Sequence, residues 1–356
     1  MGKRARLDRR SKRHIKVDDA ADVVAALRLW AGGGGTRGPE GRWMRAATTA
    51  MMTRWDTSPV VLRVDGDFAA ALIDSHTDVE LVPDWLDRFP FNAMAYSLAE
   101  PLSLHDGIRM CHYTGMITTG IRSVDAAVTP GLNRSPSAGP NEDRWHPDGA
   151  QFTHYIDVPG SDGVRCLWVF KEDGDPRPRL QSVSFQLRGE LAEQTTTLAE
   201  LIDSSVSMAT DFGQSQGLEL PTLITLSLSL LLYTAATDPE IDWPPAEHIA
   251  RPHQLKTAHI GNLGWRTGAA LRRYRAAPPA GGMNEEDAGT PSGRRLPAHI
   301  RKAHWHRVRI AERDANGKVT GNLRGTQGID WHYELRWYPP TSVNAEHGLN
   351  PTVRDP

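Results

Sequence analysis

Three runs of alternating apolar and polar residues, 152–158, 164–170 and 181–188, follow one another with only 159–163 and 172–178 between them. Alternation at period two puts every second side chain on one face, the pattern of a half-buried strand. The separators are rich in Pro, Gly and Asp, and they are too short for the crossover that parallel neighbours need. The runs therefore read as an antiparallel meander. One face of such a meander needs a cover. The next two segments supply it, because 190–212 and 218–237 read as helices joined around Gly213 and Gly217. The expected fold class is α+β, an antiparallel sheet or meander packed by helices.

Upstream, Asp18 and Asp19 precede Val23, Val24, Leu27 and Trp30, and glycines follow from Gly32. That is an N-capped amphipathic helix with a glycine stop. A second helix is expected over 43–56, a short strand over 60–64, and a helix over 69–75. Pro83, Asp84 and Trp85 open a helical turn that leads into the apolar stretch 93–98. Residues 129–149 are rich in Pro, Gly, Asn and Ser and read as a loop. A helical segment over 265–274 stands between a Pro-rich stretch, 238–252, and an apolar-poor linker, 278–293. Near the C-terminus 304–310 alternates, with His304, His306, Val308 and Ile310 on one side and Trp305, Arg307 and Arg309 on the other. Residues 331–337 do the same, with Trp331, Tyr333, Leu335 and Trp337 against His332, Glu334 and Arg336. Together they predict a Trp/His-rich β-hairpin with a long tip.

The net charge of −2 is unevenly spread. Residues 1–16 carry eight Lys/Arg against Asp8 alone, which leaves the remainder acidic. Within that remainder, 248–284 and 288–311 contain no Asp or Glu but hold Arg266, Arg301, Lys302, Arg307 and Arg309. A basic stretch in an acidic protein suits a polyanion, because neutralised phosphates release their counterions. The most apolar run, 218–236, is interrupted by Pro221 and carries several hydroxyls, so it reads as a buried helix and no membrane partner is expected. Cys111 and Cys166 make no disulfide framework, and with no secretory h-region the expected location is the reducing cytoplasm. The organisation that follows is a basic tail over 1–16, a body over 17–245, a basic helical segment and linker over 246–293, the hairpin element over 294–345 and a disordered tail over 346–356.

The string Pro297-Ala-His-Ile-Arg-Lys-Ala-His-Trp-His306, then Glu334-Leu-Arg-Trp-Tyr-Pro-Pro340 and Asn344, resembles the C-terminal signature of the "VA-two" type V-A anti-CRISPR family. Gly264-Trp-Arg266 and Leu228-Ser-Leu-Leu-Leu-Tyr233 followed by 238–241 are similar in order and spacing. The resemblance implies a phage or plasmid protein that lowers production of the type V-A effector nuclease. In that family this is done by recognising the effector's nascent N-terminal segment and promoting loss of its mRNA. The implied partners are a nascent polypeptide or CRISPR effector segment, and RNA.

Read for chemistry alone, His304 and His306 lie two apart and share a face if they are in a strand. Two imidazoles so placed serve as acid and base in RNA cleavage, chelate a metal with His299 or His332, or pack in a Trp-rich core. No familiar zinc spacing is present, so no metal and no cofactor is expected. His299, Arg301, Lys302, Trp305, Arg307, Arg309, Arg336 and Arg266 are the candidate target-binding residues: the cations for phosphates, Trp305 for a stacked base. Trp331 and Trp337 share an apolar face with Leu335 and are expected to fill the buried side. Three functions stay open: an adaptor binding a protein segment or RNA, a nuclease using His304 and His306, and a DNA-binding maintenance factor using the basic tail.

Overall fold

The computed structural model describes residues 18–33, 39–82, 93–119, 163–186, 197–211, 219–236, 238–245, 252–276, 299–311, 331–343 and 352–354. The strand expected over 152–158, the turn at 83–85, the loop over 129–149, the linker, the basic tail and the hairpin tip lie outside them. The chain forms two compact units, each assembled from separate stretches of sequence. Unit one comprises Met1–Asp65, Phe91–Phe185 and Ile241–Leu263, and unit two Gly66–Pro90, Gln186–Glu240 and Gly264–Pro356.

Unit one contains helices α1 (Asp18–Ala31) and α2 (Pro39–Thr57) and strands β1 (Val60–Val64), β2 (Ala93–His105), β3 (Met110–Thr119), β4 (Gly163–Glu172), β5 (Asp175–Gln186), β6 (Ile241–Asp242) and β7 (His259–Leu263). They form one sheet in the order β5-β4-β3-β2-β1-β7-β6. β2–β3 and β3–β4 pair antiparallel. β4 and β5 are joined by Asp173–Gly174, with Gly174 at φ +77°, a two-residue loop that only an antiparallel pair accepts. The sheet is nevertheless mixed, since β1 runs parallel to both β2 and β7, with Val61 opposite Ala95 and Ile260.

α1 buries Val23, Val24, Leu27 and Trp30, and α2 buries Met51, Met52 and Trp55, against Val61, Ala95, Ile117, Leu167 and Ile260 of the sheet. Each such side chain contributes roughly 1.5–3 kcal/mol by leaving water. The approach of α1 requires a glycine opposite it, for a Cβ on Gly115 would meet Val23 at 2.8 Å and the backbone of β2. On the same face β1 carries a buried Arg63, paired with Asp19 at 3.1 Å. Cys111 and Cys166 are both buried.

Unit two contains α3 (Gly66–Ile73), α4 (Leu198–Asp211), α5 (Leu220–Thr234) and α6 (Trp265–Ala276), then β8 (His299–Arg301), β9 (His304–Ala311), β10 (Trp331–Tyr338), β11 (Thr341–Val343) and β12 (Thr352–Arg354). α5 is buried almost all round, as its composition predicts. Among the described residues no helix is long and apolar enough to cross a membrane. Phe68 of α3, Tyr233 of α5 and Trp337 of β10 meet edge to face, with centroids 4.8–5.8 Å apart. Burial pushes the Tyr233 phenol up to about 12, so it stays a neutral hydroxyl. α6 begins at Gly264, where φ is +70° and any Cβ would press into the Phe68 ring. Its first turn is capped from a distance, because the Glu240 carboxylate accepts from the Arg266 and Thr267 backbone N–H groups and from the Thr267 hydroxyl.

One expectation is corrected here. The stretch 346–356 is not tail throughout, because β12 pairs in parallel with β8, which also pairs antiparallel with β11. Val353 lies opposite Ile300 in the backbone register.

Candidate RNA-binding face of the C-terminal hairpin

β9 and β10 pair antiparallel, and their register decides which side chains meet. Tyr338 lies opposite His304, Arg336 opposite His306, Glu334 opposite Val308 and His332 opposite Ile310. These share one side, and Trp305–Trp337, Arg307–Leu335 and Arg309–Tyr333 share the other. The alternation read from the sequence is the alternation of the hairpin.

Trp337 anchors the second side. Its ring packs on Phe68 and Tyr233, and its Nε1–H donates to Ser75 Oγ at 2.8 Å. The preference for Trp337 as a packing residue is met, while the Trp331 side chain lies outside the described residues. Trp305 corrects the expectation of a base-stacking face, since only 4% of it is exposed. Arg307 corrects the expectation of a free phosphate contact. Its guanidinium pairs with Glu80 and lies 3.8 Å from the centre of the Tyr333 ring, so its charge is already answered within unit two.

The first side is more open. The His304 ring is half-buried and stacks on Tyr338 at 5.5 Å with the planes 16° apart. Its Nδ1 lies 3.2 Å from the Lys302 carbonyl. A carbonyl only accepts, so Nδ1 carries the hydrogen and Nε2 keeps a lone pair while the ring is neutral. Burial holds the His304 pKa below the ordinary histidine range, opposed by the hydrogen bond to the Lys302 carbonyl, while Arg301, His306 and His76 add smaller lowering effects. His306 is exposed and meets the same Tyr338 ring edge-on at 6.1 Å. Arg336 is half-exposed and held from below by the buried Glu334 carboxylate at 3.2 Å, which His332 approaches at 3.3 Å.

The other candidates divide. Arg301 and Arg309 are exposed and Lys302 is half-buried. His299 takes part in β8 through its backbone, and its side chain lies outside the described residues. Arg266 is exposed on the first turn of α6, a different element. Among the described residues no three His, Cys, Asp or Glu side chains gather as a metal ion would require. Sequence reasoning did not find Tyr338, the buried role of Glu334, or His76, whose backbone N–H donates to the Ala303 carbonyl at 3.1 Å and brings 76 beside 304. The alternation that carried His306 and Arg336 would have placed Tyr338 with them had it been extended by one residue.

A family model described as AcrVA2-like, the anti-CRISPR type V subtype A2 family, matches residues 62–345. A solved structure, "Crystal structure of AcrVA2", is similar at 16% identity and a TM-score of 0.42, covering 90% of this chain and 83% of that one. No curated protein matches.

Proposed function

The chain belongs to the anti-CRISPR type V subtype A2 family, and from that membership we propose that it lowers production of a type V CRISPR effector by engaging the nascent effector segment and its mRNA. The hairpin supplies the RNA-facing surface. The observation that carries this reading is the sorting of side chains on β9 and β10. Trp305, Trp337 and Leu335 on one side turn inward or half inward, while His306, Arg336 and Tyr338 on the other stay exposed to solvent. Arg301 adds an exposed cation from β8. Such a surface offers phosphates charge and offers a base one phenol face.

The test is co-expression with a type V effector, following effector mRNA and protein together. Both are expected to fall, and the fall should be lost in the Arg301→Glu, His306→Glu double variant. Recoding the effector's first codons with synonyms changes the message and keeps the peptide, so persistence after recoding assigns target choice to the peptide. With purified protein, RNA affinity should drop by about 0.7 log units per log unit of salt for each phosphate contacted. Unchanged effector and message levels would sink the proposal, and a salt-independent affinity would remove RNA from it.

A further inference from the structure

We propose that His304, His306, Arg336 and Tyr338 form a metal-independent site that cleaves single-stranded RNA, using the RNA's own 2′-hydroxyl as nucleophile. This rests on the reading that the hairpin face takes RNA, and adds chemistry to it.

The pairing of β9 with β10 arranges these four residues as a square. His304 faces Tyr338 and His306 faces Arg336 across the strands, where partners stand roughly 5 Å apart at Cβ. His304 and His306 are separated along one strand by two residues, roughly 7 Å. One phosphate group fits in that space, with an imidazole on either flank and a guanidinium beside it. The corners differ in ways that assign their work. His304 has its Nδ1 hydrogen committed to the Lys302 carbonyl, so Nε2 is its only acceptor, and its ring plane is fixed by the stacked Tyr338. It is the base. His306 is exposed on the same side and supplies the acid. Arg336 steadies the negative charge of the phosphorane, and buried Glu334 positions it.

The step balances without an outside reagent. Nε2 of His304 takes the 2′-hydroxyl proton as the 2′-oxygen bonds to phosphorus. The bond from phosphorus to the 5′-oxygen breaks, and that oxygen takes a proton from His306. The products are a 2′,3′-cyclic phosphate and a 5′-hydroxyl, and water exchanges the two imidazole protons back. Arg301, Lys302, His76, His332 and Glu334 are the other charged or titratable groups near the square.

The test uses the full chain with a short unstructured RNA, with chelator present, alongside the same sequence with every 2′-hydroxyl methylated. We expect slow cleavage of the RNA only, leaving 2′,3′-cyclic ends, and binding of the methylated strand without cleavage. General acid and base groups are worth about 100-fold or more each, so His306→Ala and His304→Ala should each lose at least that much. Tyr338→Ala, which removes the ring stacked on His304, should lower the cleavage rate. Because His306 is exposed, its variant is expected to keep the wild-type melting curve. Binding of methylated RNA with no cleavage of ordinary RNA overturns the proposal and leaves the binding face standing. Absence of binding removes both. Cleavage that survives both histidine variants, or that needs a divalent ion, also overturns it.

Discussion

Replacing Trp337 with phenylalanine, Ser75 with alanine, and both together isolates what fastens the hairpin within unit two. Ser75 lies two residues beyond α3 and gives its hydroxyl hydrogen to the Ala71 carbonyl at 2.7 Å. It therefore offers only lone pairs to the indole N–H, 2.8 Å away. A neutral hydrogen bond of this kind nets about 1 kcal/mol. Phenylalanine keeps an aromatic ring against Phe68 and Tyr233 but gives up the indole's second ring, so Trp337→Phe should cost about 2–3 kcal/mol in all. Ser75→Ala leaves the half-buried N–H without an acceptor and should cost about 1–2 kcal/mol. The double variant should be less destabilised than the sum of the singles by about 1 kcal/mol. Urea denaturation followed by far-ultraviolet circular dichroism measures all four corners of the cycle. Additivity to within about 0.3 kcal/mol would refute the reasoning, leaving apolar contact alone as the fastening.

Three further outcomes follow from local geometry. Gly264→Ala combines a positive φ with intrusion into the Phe68 ring, and should cost roughly 2–4 kcal/mol in denaturation experiments; a loss under about 0.5 kcal/mol would contradict it. Glu240→Ala removes the acceptor for the first turn of α6 and should cost about 1–2 kcal/mol, while Glu240→Gln, which keeps a carbonyl oxygen, should recover most of it in the same melt. His304 has its folded pKa depressed by burial, so the unfolded chain takes up the proton first as pH falls through about 6.5. Stability should hold above that value and decline below it, and the decline should shrink in His304→Asn; parallel curves for the two proteins from pH 7.5 to 5.5 would contradict the assignment.

Periodic local signals were legible in the sequence, and signals that depend on distant packing were not. α1, β1 and the β9–β10 pair follow from the spacing of their apolar residues. β2 and β3 escaped because their ladder is irregular, with register shifts between Ser97 and Leu102 and between Tyr113 and Gly115, and Pro101 inside the first. β7 escaped for a different reason. Its residues His-Ile-Gly-Asn-Leu have poor strand propensity, yet it is an inner strand, and Gly261 is required because Ile241, Leu62 and Trp243 lie within about 3.0 Å of where a Cβ would stand. In the candidate site, alternation separated imidazoles from tryptophans correctly. It could not reveal that Glu80, recruited from far along the chain, answers Arg307, or that Glu334, only two residues from Arg336, is buried, since burial depends on what packs over the strand.

The place of β7 in the sheet has a consequence for biosynthesis. β1 forms from residues 60–64, but its neighbour on one side is residues 259–263, and until these leave the ribosome the growing protein presents Val60, Val61 and Leu62 on an unpaired strand edge. A translation stop anywhere before that point leaves a product prone to stick to its own kind, and holding factors that shield such edges should favour recovery of the finished protein.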